Sequence, residues 1–153
     1  MSHSASPIVI LLADDDPDDR EMTRRALDKN HLAHDLYTVA DGEELMDFLN
    51  HRGGFAPPAR SPTPGLILLD LNMPRKDGRE ALAEIKADPA LRRIPIVVMT
   101  TSKAEEDVYR TYDLGTNSFI SKPVGLAELV DVTRVLGQYW FGIVTLPDTK
   151  TED

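Results

Sequence analysis

The amino-acid sequence predicts an α/β fold built on a five-stranded, doubly wound parallel sheet with helices on both faces. Two observations lead to this prediction. Five short apolar runs are continuous rather than alternating, which is typical of parallel strands that are buried on both faces. Segments with the helical spacing of apolar residues lie between these runs, and such alternation gives a parallel sheet with right-handed crossovers.

The strands are predicted from the apolar runs in chain order. The runs IVILLA and LILL have the length of a fully buried strand, and the run LYTVA is weaker. The five predicted strands are Ile8–Ala13, Leu36–Ala40, Leu66–Leu69, Ile94–Met99 and Ser118–Ser121.

A helix is predicted after each strand. The first begins at Asp16-Pro17, since Asp is a good N-cap and Pro suits the first helical position. Asp18 and Asp19 then lie in the first turn, where the helix dipole favours negative charge. Apolar stripes mark the other helices: Leu45, Phe48 and Leu49; Ala81, Leu82 and Ile85; Val108 and Tyr112; and Leu126, Leu129, Thr133, Leu136 and Trp140.

Residues 51–65, HRGGFAPPARSPTPG, interrupt this pattern. The stretch is rich in proline and glycine, so it is predicted to be neither helix nor central strand. We expect an extended surface loop between the second helix and the third strand. A tolerated insertion is favoured over a binding loop.

Composition and charge exclude several classes of function. The chain has 153 residues, the length of one domain. It has no cysteine, which excludes disulfides, a thiolate zinc site and a Cys nucleophile. The net charge of −9 opposes non-specific binding to nucleic acid or to an anionic membrane. Neither a signal peptide nor a membrane-spanning run is found, so we expect a cytoplasmic protein with no nucleic-acid or membrane partner.

Polar residues follow the predicted strands at the point where each strand ends. Ligands of an open parallel sheet bind beyond the carboxyl ends of its strands, so we expect these side chains to share one rim. Asp14-Asp15-Asp16 follow the first strand, Asp70 the third, Thr100-Thr101-Ser102 the fourth, and Ser121-Lys122-Pro123 the fifth.

The carboxylates at this rim predict a metal site. Capping of the first helix explains Asp16, but it does not explain Asp14, Asp15 or Asp70. Clustered carboxylates repel one another unless a cation compensates for them. Oxygen ligands suit a hard divalent ion, and Mg²⁺ held by a few protein ligands and water is the usual solution. Taken alone, Lys122 could equally be a solvated surface residue.

Four motifs in this order resemble the receiver domain of two-component response regulators, across about residues 7–138. They are the acidic pair in LLADDD, the block LILLDLNMPRKDG, the segment VVMTTS and the segment FISKP. The resemblance implies the flavodoxin-like receiver fold. It also implies a protein that accepts a phosphoryl group from a histidine kinase and signals by a conformational switch or a phosphorelay.

The resemblance implies a role for each residue of the phosphorylation site. Asp70 would be the phosphoacceptor, Thr100 would hydrogen-bond one phosphoryl oxygen, and Lys122 would pair with another. Phe119 falls at the switch aromatic position, although a plain core phenylalanine is the alternative. The chain would not be an enzyme beyond Mg²⁺-dependent self-phosphorylation and slow self-dephosphorylation.

The resemblance also implies a set of metal ligands. Asp15 would bind Mg²⁺ directly, and Asp14 mainly through water. The backbone carbonyl of Asn72 would supply the third protein ligand alongside Asp70. Gly78 fits a turn beside this site that needs a permissive backbone.

The segments that flank these motifs suggest a narrower class. EIKADPALRRIP and TTSKAEEDVYRTYDLGTNSF resemble the small, stand-alone regulators that are paired with phytochrome-type histidine kinases. We expect residues 1–6 to be a disordered N-terminus, residues 7–138 to form the receiver domain, and residues 139–153 to form a C-terminal tail.

The last helix and the tail predict a homodimer. One apolar stripe suffices to pack this helix on the sheet, yet Val132, Val135 and Tyr139 form a second stripe. The tail adds the apolar segment FGIVTLP. A twofold partner covers such a patch most simply, and a tail folded back over its own sheet is the alternative.

An Asp-nucleophile phosphatase is the alternative function, because it also forms an acyl phosphate on a strand-end Asp. That family has a second acid two residues after the nucleophile, where this chain has Asn72. A nucleotide-binding enzyme is a poorer alternative, since neither GxGxxG nor a P-loop follows the first strand. An adaptor that has lost phosphorylation is disfavoured because the site residues are present.

Overall fold

A computed structural model describes residues 8–30, 34–58, 61–100, 118–121 and 126–137 of the chain. Within them, strands and helices follow one another in the predicted order. The strands are β1 (Ile8–Ala13), β2 (His34–Val39), β3 (Leu66–Leu69), β4 (Ile96–Thr100) and β5 (Ser118–Ser121). The helices are α1 (Pro17–Lys29), α2 (Gly42–Asn50), α3 (Gly78–Ala87) and α4 (Leu126–Gly137), with a short 3₁₀ helix at Gly53–Phe55.

These strands form one parallel sheet in the order β2-β1-β3-β4-β5. The order reverses at β1, which lies between β2 and β3, so the carboxyl ends of β1 and β3 flank the switch point where ligands of such sheets bind. The predicted parallel α/β fold is therefore confirmed. The predicted helix with Val108 and Tyr112 lies outside the described residues.

Alternate side chains of each central strand enter separate cores on the two faces of the sheet. Leu11 and Leu69 belong to the core that α2 and α3 cover. Leu12 and Leu68 belong to the core that α1 and α4 cover. Because both faces are covered, the strands are apolar along their whole length, and the prediction of helices on both faces is confirmed.

Two strands differ from their predicted bounds. β2 begins at His34 rather than Leu36, since it pairs with β1 along the whole length of that strand. β4 begins at Ile96 rather than Ile94. The amide of Ile94 donates to the carbonyl of Leu91 at 3.0 Å and so closes a turn, while Pro95 has no amide hydrogen to give to the sheet.

The described part of the loop of residues 51–65 contains more regular structure than predicted. The prediction that it contains no helix is wrong, because it forms the 3₁₀ helix Gly53–Phe55. The ring of Phe55 packs edge-on against Phe48 of α2, with centroids 5.2 Å apart. Ser61 is only 8% exposed. Phe55 and Ser61 therefore attach the loop to the core beyond the end of α2, while most of its other described residues are exposed, as predicted.

Helix α4 presents its predicted stripe to the core, since Leu129 and Thr133 are buried. The prediction that Val132 lies on a second, exposed face is wrong, because Val132 packs partly against the same core. Residues three apart on a helix share a face, which places Val132 beside Leu129. Val135 does lie on the outer face and is 55% exposed. Tyr139, Trp140 and the rest of the tail lie outside the described residues.

The side chain of Asn30 joins α1 to α4. Its amide nitrogen lies 2.7 Å from Thr133 Oγ and 3.1 Å from the carbonyl oxygen of Val130. The Thr133 hydroxyl in turn donates to the carbonyl of Leu129 at 2.9 Å. Because a buried polar group is costly without a partner, this network fixes how α4 lies along α1.

Candidate functional site

The three predicted carboxylates meet at the carboxyl ends of β1 and β3. The amide of Asp70 donates to the carbonyl of Ala13 at 3.0 Å, and the amide of Asp14 donates to the carbonyl of Val39 at 3.0 Å. Both residues therefore continue their strands by one backbone hydrogen bond. One carboxylate oxygen from each of Asp14, Asp15 and Asp70 lies within 4.8 Å of the other two.

These carboxylates differ in their exposure. Asp14 is 2% exposed and Asp70 is 7% exposed, whereas Asp15 is open to solvent. Backbone amides hold the two buried groups: Asp16 N donates to Asp14 Oδ1 at 3.0 Å, and Asn72 N donates to Asp70 Oδ1 at 3.1 Å. A polar group costs free energy when buried without a partner, so these hydrogen bonds offset part of the cost of burying the two side chains.

An arginine that the sequence interpretation missed borders the acidic segment Asp14-Asp15-Asp16. The guanidinium Nη1 of Arg20 donates to the backbone carbonyl of Asp14 at 2.6 Å. Arg20 lies near the start of α1, where the helix dipole disfavours a positive charge. A basic residue in this unfavourable position, next to three aspartates, is the sequence signal that could have identified Arg20.

The segment after β3 carries Asn72 to the surface between two buried anchors. Leu71 and Met73 are buried, while Asn72 is exposed. The loop returns to its own start at Gly78, whose amide donates to the carbonyl of Leu71 at 2.9 Å.

Gly78 is required for space rather than for backbone conformation, which corrects the sequence interpretation. A Cβ at this position would collide with the Asp70 carbonyl oxygen and lie 2.7 Å from the Cα of Leu71. Gly78 is not among the described residues with positive φ. Helix α3 can therefore begin directly against the segment that carries Asp70.

The remaining predicted residues are described in part or not at all. Thr100 ends β4 and pairs in register with Ser121, so its backbone lies at the same edge of the sheet. Phe119 lies in β5 opposite Val98. The side chains of Thr100 and Phe119, and all of Lys122, lie outside the described residues.

The parallel α/β fold and the three carboxylates at the ends of β1 and β3 define a class of protein. Residues 10–134 match the family model of the response regulator receiver domain. The chain belongs to that family, and it is a receiver-domain response regulator, as its motifs predicted. The match runs from Ile10 in β1 to Arg134 in α4 and includes Asp14, Asp15 and Asp70. It gives no support to the phosphatase alternative.

Individual relatives narrow the class. The chain is 43% identical over 144 residues to the response regulator Rcp1 of Synechocystis, covering 94% of this chain and 96% of that protein. The crystal structure of a phosphorylated cyanobacterial phytochrome response regulator, RcpA, has a TM-score of 0.85 at 42% identity, covering 94% of this chain and all of that one. A Mn²⁺-bound structure of Rcp1 has a TM-score of 0.84 at 43% identity, with 93% and 100% covered. The chain is thus homologous to phytochrome-associated regulators.

None of the described helices is both long enough and apolar enough to cross a bilayer.

Proposed function

We propose that this response regulator accepts a phosphoryl group on Asp70 from a phytochrome-type histidine kinase, with Mg²⁺ as its cofactor. The observation that supports the proposal most is the meeting of one oxygen from each of Asp14, Asp15 and Asp70 within 4.8 Å. An all-oxygen set of this kind fits a hard divalent cation, and the relative Rcp1 has been crystallised with Mn²⁺.

Within this proposal, Asp15 binds Mg²⁺ directly, Asp14 acts mainly through water, and the Asn72 carbonyl and Asp70 complete the protein ligands. When bound, the ion neutralises the charge of the phosphoryl oxygens. The burial of Asp14 keeps one carboxylate fixed, while the exposure of Asp15 leaves room for water ligands.

In the transfer, a carboxylate oxygen of Asp70 attacks the phosphorus atom of the kinase's phosphohistidine. A P–O bond forms, the P–N bond breaks, and the imidazole nitrogen keeps the electron pair. The amide of Asn72 donates to Oδ1 of Asp70 and so orients the carboxylate for this attack. Positioning and charge stabilisation are what phosphoryl transfer asks of a protein.

The finer assignments follow from family membership. Thr100 hydrogen-bonds the phosphoryl oxygen, Lys122 pairs with another, and Phe119 reports phosphorylation by changing its rotamer. β4, which ends at Thr100, lies beside β3, and this supports Thr100 as a neighbour of Asp70. We keep the cytoplasmic location, the absence of other enzyme activity, and the lack of a nucleic-acid or membrane partner as predictions. A homodimer through α4 and the tail, residues 139–153, also stays a prediction.

Phosphorylation from a small donor tests this function. Incubated with acetyl phosphate and Mg²⁺, the protein is expected to gain the mass of one phosphoryl group, and chelation or Asp70→Asn is expected to abolish the gain. Asp35→Asn is the matched control, because Asp35 is an exposed aspartate at the far edge of the sheet. Uptake of acid-labile phosphate by Asp70→Asn would contradict the proposal.

A further inference from the structure

The N-terminus of α2 contacts the loop that follows Asp70, although the two segments are distant in sequence. The amide of Gly42, the first residue of α2, donates to the carbonyl of Lys76 at 2.8 Å. The ammonium of Lys76 forms an ion pair with Glu84 of α3. Lys76 therefore bridges two helices, through its backbone to α2 and through its side chain to α3.

This contact leaves no room for a side chain on Gly42. A Cβ there would collide with the Lys76 carbonyl oxygen and would lie 2.9 Å from the Cβ of Lys76. Because a carbon and an oxygen normally approach no closer than about 3.3 Å, any larger residue would push the loop away from α2. The close approach holds the outer part of the loop, as Gly78 holds its base.

A second contact lies beside the first. Asp41, the buried N-cap of α2, accepts from the amide of Glu44 through Oδ1 at 2.8 Å. Its Oδ2 lies 3.7 Å from the guanidinium of Arg75. Arg75 adopts φ 63°, in the left-handed region that is unfavourable for a residue with a side chain. The pair with Asp41 therefore helps to hold a strained point of the loop.

We propose that Gly42 and Asp41 are positioning residues for the Mg²⁺ and phosphoryl site. They fix the loop of residues 71–77, and so the place of the Asn72 carbonyl and of the amide that orients Asp70. The inference rests on the proposed function, since it assumes that Asn72 is a metal ligand. It adds the start of α2 to the groups on which metal affinity depends.

Gly42→Ala tests the contact between Gly42 and Lys76. Its matched control is Gly54→Ala, because a Cβ at Gly54 would have no atom within 4 Å. The dissociation constant for Mg²⁺ is measured by NMR titration at a temperature where each variant is folded. We expect Gly42→Ala to weaken Mg²⁺ binding by about tenfold, the effect typical of displaced supporting groups, and Gly54→Ala to leave it unchanged.

The two proposals fail in different ways. A wild-type protein whose Mg²⁺ binding is absent, or survives Asp15→Ala, overturns the proposed metal site and this inference together. If the wild type binds Mg²⁺ and Gly42→Ala binds it equally well, with only its thermal stability lowered, the metal site stands and the positioning role is overturned.

If Gly42→Ala does not fold, Arg75→Gln tests whether the start of α2 positions the metal site. The substitution removes a positive charge near the acidic rim, so a direct field effect would strengthen Mg²⁺ binding. Loss of positioning would instead weaken Mg²⁺ binding by about two- to fivefold, because the Arg75 side chain of the pair is exposed. Weaker binding supports the inference, and unchanged or stronger binding overturns it.

Discussion

The imidazole Nδ1 of His51 lies 2.8 Å from the hydroxyl Oγ of Ser61, across the loop that follows α2. The same hydroxyl donates its single hydrogen to the carbonyl of Phe55, 3.1 Å away. Ser61 can therefore only accept at His51, which must carry its proton on Nδ1. One serine thus closes the loop around the 3₁₀ helix that places Phe55 against Phe48.

Ser61→Ala is expected to lower the free energy of unfolding by about 1 kcal/mol or slightly more. The substitution removes two hydrogen bonds and leaves the Phe55 carbonyl without its hydroxyl partner. Urea denaturation measures the change, with Thr63→Ala in the exposed part of the same loop as the control. Equal stabilities for the two variants would show that the hydrogen bonds of Ser61 contribute nothing to the stability of the fold.

Millimolar Mg²⁺ is expected to raise the melting temperature through binding to the native state. At ten times the dissociation constant the gain is about 1.4 kcal/mol, which corresponds to a rise of about 3–6 °C for a domain of this size. Asp15→Ala should abolish the rise and should stabilise the metal-free protein by relieving repulsion between carboxylates.

Asp35→Ala is the control in these thermal scans, because it removes an exposed carboxylate far from the acidic rim. It should respond to Mg²⁺ as the wild type does. A response in Asp15→Ala that matches the wild type would place the ion elsewhere on the protein.

Val135→Glu is expected to shift the protein from dimer to monomer. The side chain of Val135 is 55% exposed on the outer face of α4, so a charge there would be buried against a partner without compensation. Light scattering at tens of micromolar protein gives the mass. Ala87→Glu, at the exposed end of α3 on the opposite side of the sheet, is the control. A monomeric wild type would contradict the dimer.

Strand boundaries could be predicted where the chain itself marks them. β1 and β3 match their apolar runs because an aspartate follows each run directly, at Asp14 and Asp70. β2 and β4 differ because their bounds depend on partners: β2 is extended by pairing with β1, and the turn at Ile94 delays β4. Pairing across a sheet is a tertiary effect that a local pattern does not contain.

The acidic rim was predictable because it follows from topology. Once the sheet is parallel, the strand ends must meet, so Asp14, Asp15 and Asp70 come together wherever the helices lie. The contact between Gly42 and Lys76 was not predictable in this way. Nothing in the sequence around Gly42 shows that another backbone passes beside it.

The hydrogen bond between Asn30 and Thr133 has a consequence for the order in which the protein is made. The two residues are 103 apart in sequence, and a ribosome adding about 5–20 residues per second needs about 5–20 s to synthesise that interval. The core between the sheet and helices α2 and α3 can form while translation continues. The core under α1 is completed only by α4, so we expect the apolar residues Ala26 and Leu27 to stay partly uncovered on the nascent chain until α4 has been made.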